Sequence, residues 1–197
     1  MITKIFTTTH FIKVIFVAMF FFSLHIALTS YVNSTFMESM GWSNATIDII
    51  YILSSLGTLL AYLVIPNLAR TFGNRRITIV LLMLLVACLL GILVVPHLLI
   101  KMILFIILLV LNFLIIYKMD VFLGHFSSLE NTGKIRGLFF MIINSSWALS
   151  PFIAGQVIDN FGIRSVYFLA GIMVGITILI FATNFKTTLF VYKPKRK

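Results

Sequence analysis

Six long apolar stretches, separated by short polar breaks, constrain the fold of this chain more than any other feature of its sequence. Each stretch reaches the length of about 20 residues that an α-helix needs to cross the hydrocarbon core of a bilayer. The stretches cover residues 11–33, 46–66, 77–96, 99–122, 137–158 and 165–184. The sequence therefore predicts an all-α integral membrane protein, with six transmembrane helices in a single bundle over residues 1–197.

The composition supports a membrane location. The chain is 61% hydrophobic and 10% charged, whereas soluble domains carry about 25% charged residues. Its single cysteine, Cys88, lies within an apolar stretch, which excludes a disulfide framework and a cysteine-based zinc site. The sequence also lacks the motifs of phosphate-binding loops, zinc proteases and serine hydrolases. We therefore predict no enzymatic activity, no catalytic residue, no metal site and no cofactor.

The net charge of +10 comes from basic residues that lie mostly in or near the breaks between apolar stretches. This placement is typical of the positive-inside rule and not of a nucleic-acid-binding surface. With a cytoplasmic N-terminus, all Lys and Arg except Lys101 and Arg164 fall on the inner side. We expect a multi-pass protein of the plasma membrane (the cell inner membrane), with both termini cytoplasmic, the lipid bilayer as a partner and no nucleic-acid partner.

Two of the polar breaks repeat the same turn, once as NLARTFGNRR and once as QVIDNFGIRS. At an offset of 89 residues, three positions are identical: Phe72 and Phe161, Gly73 and Gly162, and Arg75 and Arg164. Glycine permits the positive φ that a tight reversal needs. Because three helices separate the two turns, the second half of the chain is predicted to be an inverted copy of the first, an arrangement used by secondary transporters. The alternative is a chance similarity between two helical hairpins.

Polar side chains are distributed unevenly among the stretches. The third and sixth stretches are almost purely apolar, whereas the other four carry polar groups at helical spacing. These groups include His25, Thr29, Asn33, Tyr51, Asn112, Asp120, Asn144 and Trp147. Polar groups within a bilayer usually face a bundle interior or a wet cavity. We therefore expect the third helix of each repeat to face lipid and the other helices to line a pathway for solute or protons.

The breaks and the fifth stretch resemble motifs of the major facilitator superfamily. That family's loop between its second and third helices reads G-x-L-A-D-R-x-G-R-K. The matching positions are Leu68, Ala69, Gly73 and Arg75. Arg70 replaces the acidic residue, so the resemblance does not extend to the family's charge-relay gate at this loop, whereas the second copy has Asp159 before Gly162 and Arg164.

The resemblance covers essentially the whole chain as the N-terminal six-helix half of that family. Residues 150–155, SPFIAG, resemble the family's antiporter motif G-P-x-x-G-G, and Lys118 is the only candidate for the basic residue of its fourth helix. The implied fold is two inverted three-helix repeats. The implied gating-loop residues are Arg70, Gly73, Arg75, Asp159, Gly162 and Arg164.

Each candidate residue has a functional and a structural interpretation. His25 either relays protons or binds a polar solute, or it forms a hydrogen bond to a neighbouring helix. Asp120 either couples to protons or, as we expect, pairs locally with Lys118. Asn112 and Asn144 contact solute or link helices by hydrogen bonds of about 1 kcal/mol. Pro151 is predicted to kink the fifth helix, for packing or for gating.

The resemblance implies alternating-access transport of a small-molecule solute, coupled to an ion gradient of protons or Na⁺. Its partner would be a second six-helix half or a second copy of this chain, since the polar faces would otherwise contact lipid. The basic tail, residues 185–197, resembles the start of the linker between halves. The alternatives are a non-transporting membrane protein, as a folded relic or a scaffold subunit, and the membrane subunit of an ATP-driven importer.

Overall fold

The computed structural model of the protein describes the backbone of residues 2–126 and 131–185, and the side chains of residues 10–124 and 131–185. Within these ranges the chain forms six α-helices and no strand. The helices are α1 (Ile2–Ser39), α2 (Asn44–Phe72), α3 (Asn74–Val94), α4 (Leu98–Phe126), α5 (Thr132–Phe161) and α6 (Arg164–Asn184). All six are long and apolar enough to cross a membrane, which confirms the predicted all-α membrane fold. Of the predicted basic tail, residues 185–197, only Phe185 belongs to the described residues.

The helix ends differ from the ends of the apolar stretches in two instructive places. α1 continues to Ser39, although the sequence predicts a polar break from Asn33, because the buried side chains of Phe36 and Met37 extend its packed face. α3 ends at Val94 rather than at the predicted position 96. A proline disfavours a helical conformation of the residue before it, and Pro96 therefore ends α3 early.

The arrangement of the helices repeats itself when the two halves of the chain are exchanged. α1 packs chiefly against α5 and α6, and α4 packs in the same way against α2 and α3. α3 and α6 pack against each other, and α1 and α4 touch over a smaller area. Replacing α1, α2 and α3 by α4, α5 and α6 leaves this list of neighbours almost unchanged. The bundle therefore consists of two three-helix repeats around a pseudo-twofold axis.

Two arginine hydrogen bonds show that the repeats run in opposite directions. The Nη2 of Arg75, at the start of α3, donates to the carbonyl of Ala182 in the last turn of α6 at 2.8 Å. The Nη2 of Arg164, at the start of α6, donates to the carbonyl of Leu93 in the last turn of α3 at 2.6 Å. Arg164 lies 89 residues after Arg75, and Ala182 lies 89 residues after Leu93, so the two bonds are equivalent in the two repeats. A cation at the carbonyl end of a helix is favoured electrostatically, so the antiparallel contact of α3 and α6 is stabilised at both ends.

Small residues let α2 and α5 approach their central partners closely. Gly57 of α2 lies where an added Cβ would come within 3.1 Å of Val110 on α4. The residue 89 positions later, Ser146 of α5, donates its hydroxyl to the carbonyl of Phe20 on α1 at 3.1 Å. Small residues at such crossings are typical of helix packing in membranes. The two peripheral helices are thus attached in equivalent ways, each by one narrow stripe.

α3 and α6 bury one side each and expose apolar side chains on the other. The buried side of α3 includes Leu82 and Leu85, and the buried side of α6 includes Val174. Met83 and Ile172 are among the exposed apolar residues. The predicted contact of these outward faces with lipid stays a prediction, and their inner faces form the α3–α6 core of the bundle.

The two repeated turns adopt the same backbone conformation. Gly73 has φ 88° and ψ 142°, and its N–H donates to the carbonyl of Ala69 at 3.0 Å. Gly162 has φ 80° and ψ 164°, and its N–H donates to the carbonyl of Ile158 at 2.8 Å. This region of backbone space is open almost only to glycine. The prediction that these glycines permit a tight reversal is confirmed.

We expect Gly73→Ala and Gly162→Ala each to lower the free energy of unfolding by about 1–3 kcal/mol, because alanine is strained at this φ and ψ. Unfolding in detergent micelles, followed by intrinsic fluorescence, measures the change. The matched control is Gly175→Ala within α6, where an added Cβ meets no heavy atom within 4 Å and alanine favours the helix. Equal losses at all three positions would contradict this account of the turns.

Candidate functional site

The polar residues predicted to line a pathway, apart from the half-buried Asp120, divide into a buried group and an exposed group. The buried group is His25, Thr29, Asn33 and Asn112, all on the central helices α1 and α4. The exposed group is Tyr51 on α2 and Asn144 and Trp147 on α5. The structure therefore does not bring the candidates together in one cavity, because the buried ones lie on the central helices and the exposed ones lie on α2 and α5, which are not packed against each other.

Two members of the buried group have structural partners. The hydroxyl of Thr29 donates to the carbonyl of His25 at 3.0 Å, within α1. Asn33 Oδ1 accepts a hydrogen bond of 2.7 Å from the hydroxyl of Tyr167 on α6. This bond joins two packed helices in the interior. The apolar pattern of the sixth stretch did not mark Tyr167, since a single phenol scarcely changes the polarity of a helix.

His25 and Asn112 face each other where α1 meets α4. The ring of His25 has no exposed surface, and the side chain of Asn112 lies against it. His25 Nδ1 bonds to the carbonyl of Phe22 at 2.8 Å. In the described part of the chain, neither His25 Nε2 nor Asn112 Oδ1 has a hydrogen-bond partner. Unpaired buried polar atoms cost free energy, and among the described residues the buried hydroxyls of Ser23 and Ser150 are in the same state.

Aromatic clusters close the bundle interior at both ends. At one end, Phe36, Phe105 and Tyr167 are in ring contact, with centroids 4.5–6.3 Å apart. At the other end, Phe122 and Phe181 are in contact at 5.3 Å, and Phe185 stacks on Phe181 at 4.8 Å. A solute could not pass along the centre of these six helices without displacing these rings.

The exposed residues lie on surfaces of α2 and α5 that are not covered by another helix of this chain. On α5, Asn144, Trp147 and Pro151 share a face turned away from the stripe that contacts α1. Trp147 is 40% exposed, and Tyr51 on α2 is 36% exposed. α5 runs as one helix through Pro151. The α5 surface offers amide and indole groups, and the α2 surface offers a phenol; all three can donate hydrogen bonds to a polar molecule.

The expected pairing of Asp120 with Lys118 is wrong. Asp120 accepts instead from Arg136 on α5 at 3.3 Å. Lys118 is buried and donates to Asn74 Oδ1 at the start of α3. Residues two apart on a helix point to different sides, so adjacency in sequence misled the prediction. The Asp120–Arg136 pair lies at the surface, where such pairs contribute little to stability.

The predicted gating loops contain residues with well-defined roles within this bundle. Gly73 and Gly162 form the tight turns, and Arg75 and Arg164 bind the ends of α6 and α3. Arg70 lies in the last turn of α2. Asp159 occupies the equivalent place near the end of α5, where it is exposed. A role of any of them in gating stays a prediction.

Comparison with known proteins gives one match. The family model described as Major Facilitator Superfamily matches residues 14–197, which is nearly the whole chain. No curated protein and no solved structure matches the chain significantly.

We expect Tyr167→Phe to lower the free energy of unfolding by about 1 kcal/mol, because it leaves the buried Asn33 Oδ1 without its donor. The shift of the thermal unfolding midpoint in detergent micelles measures this loss. Tyr31→Phe is the matched control, since Tyr31 lies on α1 two residues before Asn33 but is 53% exposed. Similar shifts for the two variants would show that the buried hydrogen bond is not the cause.

Proposed function

Because the chain belongs to the major facilitator superfamily, we propose that it carries a small solute across the membrane by alternating access, as one six-helix half of a transporter. The proposal is based on one observation: Tyr51 on α2, and Asn144 and Trp147 on α5, are exposed on surfaces that no other helix of this chain covers. In the proposal these surfaces, the uncovered face, form one wall of the solute pathway. A second six-helix bundle forms the opposite wall, and rocking of the two bundles opens the pathway to each side in turn.

The closed interior supports this location of the pathway. The aromatic clusters around Phe36 and Phe122 leave no route along the centre of the bundle. α2 and α5 are each attached by one stripe and leave most of their surface uncovered. The solute therefore meets the outside of these helices and not the space between α1 and α4.

The chemistry of the uncovered face favours an uncharged polar solute. Between Arg136 and Asp159, α5 carries no ionisable side chain, and its amide and indole groups are neutral. Asn144 supplies both a donor and an acceptor, and Trp147 supplies a donor and an aromatic surface. Such groups hold a small polyol, amide or sugar-like molecule by hydrogen bonds and ring contact.

A partner bundle follows from the same face. An amide in the middle of a membrane helix is costly against lipid and usually faces protein or water. Asn144 lies about halfway along α5 and is exposed in this bundle. We propose a second six-helix half, either another chain or a second copy of this one, that covers Asn144 and Trp147. Transport is driven by an ion gradient, and the protein resides in the plasma membrane with the start of α1 on the cytoplasmic side.

Transport tests this proposal directly. The full chain, reconstituted in liposomes, is screened for uptake of labelled neutral polar solutes under an imposed pH or Na⁺ gradient. For the solute that is transported, we expect Asn144→Ala and Trp147→Ala each to reduce kcat/KM about 5- to 30-fold, since a lost hydrogen bond or ring contact is worth roughly 1–2 kcal/mol.

The control is Leu149→Ala, because Leu149 is also exposed on α5 but lies on a different side of the helix from Asn144 and Trp147. This variant should keep its flux. Undiminished flux in Asn144→Ala and Trp147→Ala would remove the uncovered face from the pathway. Lack of gradient-dependent flux for every solute in the screen would favour a non-transporting membrane protein.

The proposed orientation has its own test. In a Cys88→Ala background, Arg76→Cys and Asn160→Cys each place one thiol at an exposed site beside a repeated turn. A membrane-impermeant maleimide should label Asn160→Cys on intact cells. It should label Arg76→Cys only after permeabilisation, because α3 and α6 are antiparallel. Labelling of both from the same side would contradict the inverted arrangement in the membrane.

A further inference from the structure

The two repeated turns share their backbone conformation but differ in charge. Arg70 and Arg76 flank the turn between α2 and α3, whereas Asp159 and Ser165 occupy the same places at the turn between α5 and α6. Two positive charges at the first turn thus correspond to one negative charge at the second. Because the second turn adopts the same conformation without them, the fold does not require the two positive charges of the first.

Arg76 in particular does not stabilise its own helix. It lies in the first turn of α3 and is exposed. A cation at this end of a helix is unfavourable, because the N-terminus is the positive end of the helix dipole. α3 has no acidic residue in its first turn, and among the described residues no carboxylate pairs with Arg76. Its charge is therefore available to a group outside the bundle.

Apolar side chains are exposed beside these arginines. The turn joins α2 and α3, which are both long and apolar enough to cross a membrane. Phe72, next to Gly73, is 56% exposed, and Leu68 near the end of α2 is also exposed. Exposed apolar side chains are unfavourable in water. We therefore expect Phe72 and Leu68 to lie at the edge of the hydrocarbon, with Arg70 and Arg76 at the depth of the lipid headgroups.

Cations inside the bundle add to the positive potential at this turn. Lys118 is buried and donates to Asn74 Oδ1 at the start of α3. Arg75 donates to the carbonyl of Ala182 at the end of α6. Both of these acceptors are neutral oxygen atoms. α2 after Asp48, and all of α3 and α6, contain no acidic residue. The summed field of such a charge distribution attracts anions.

We propose that the turn between α2 and α3 binds the headgroup of an anionic phospholipid. The guanidinium groups of Arg70 and Arg76 bind the negatively charged phosphate, which arginine can hold by paired hydrogen bonds. Phe72 and Leu68 pack against the upper part of the acyl chains. In the orientation proposed above, this lipid belongs to the cytoplasmic leaflet, whose surface is negatively charged.

The apolar neighbours favour a lipid over a soluble anion. A soluble phosphate gains only from the charges of Arg70 and Arg76. A phospholipid also covers Phe72 and Leu68, and burial of apolar surface is favourable by about 25 cal/mol per Å². The combination of cations and exposed apolar groups at one turn therefore fits a phospholipid.

This site differs from the general role of positive charge in membrane insertion. Insertion responds to the bias of Lys and Arg between the two sides. In the proposed orientation only Lys101 and Arg164 lie outside, so the loss of one inner arginine leaves the bias in place. A headgroup site depends instead on which arginine is lost. The proposed site also goes beyond the transport function and does not depend on it.

The test measures lipid binding to the purified full chain in detergent micelles, where the direction of insertion no longer matters. The chain is titrated with phosphatidylglycerol or with phosphatidylcholine of the same acyl chains. Native mass spectrometry counts the bound lipids and gives the Kd of each. We expect tighter binding of phosphatidylglycerol. Arg76→Ser should weaken that binding about fivefold, since one arginine near an anionic lipid contributes about 1 kcal/mol, and should leave phosphatidylcholine binding unchanged.

Three further variants identify the cause. Arg76→Lys keeps the charge and should retain most of the phosphatidylglycerol binding. Arg70→Asp combined with Arg76→Ser copies both residues of the second turn and should weaken binding about tenfold or more. Lys101→Ser is the control, because it removes one positive charge at the opposite end of the bundle. It should leave the Kd unchanged.

Three results would overturn the proposal. The first is an equal Kd for the two lipids. The second is an unchanged Kd for phosphatidylglycerol in Arg76→Ser, with the thermal unfolding midpoint also unchanged. The third is displacement of bound phosphatidylglycerol by glycerol 3-phosphate at the same concentration, which would indicate a site for simple anions and not for a lipid. All three are independent of whether the chain transports a solute.

Discussion

The antiparallel contact between α3 and α6 is the interaction on which the rest of the bundle depends. Arg75 and Arg164 each bind the carbonyl end of the opposite helix, so this pair is fixed at both membrane faces. In hydrocarbon, hydrophobic burial gives little reason for helices to associate, and such specific contacts determine which helices pack. With α3 and α6 fixed, α4 and α1 follow as their neighbours, and α2 and α5 attach outside them.

The same geometry separates two kinds of polarity. Side chains on the central helices, such as His25 and Asn112, are enclosed by protein and shut off by aromatic rings. Side chains on the peripheral helices, such as Trp147, remain uncovered. Which polar groups are enclosed and which are open thus follows from which helices are central.

Much of this architecture was predictable from periodicity and from the repeated turn. Apolar length located the six helices, and the shared Gly and Arg predicted the inversion, because these signals are local in sequence. Side-chain partners were not predictable in the same way. Asp120 pairs with Arg136 and Asn33 with Tyr167 because of helix packing. Such pairs depend on the rotation of each helix about its axis, which hydropathy does not specify.

The repeated turn has to satisfy two demands that conflict. Its architecture requires the same glycine and the same arginine in both copies, whereas membrane insertion favours positive charge on one side and disfavours it on the other. The two copies differ in charge at a position that takes no part in the Arg75 and Arg164 hydrogen bonds: Arg70 in the first copy corresponds to Asp159 in the second. An inverted duplicate can therefore keep its fold while its charges diverge, and the change from Arg76 to Ser165 at the same offset extends that divergence.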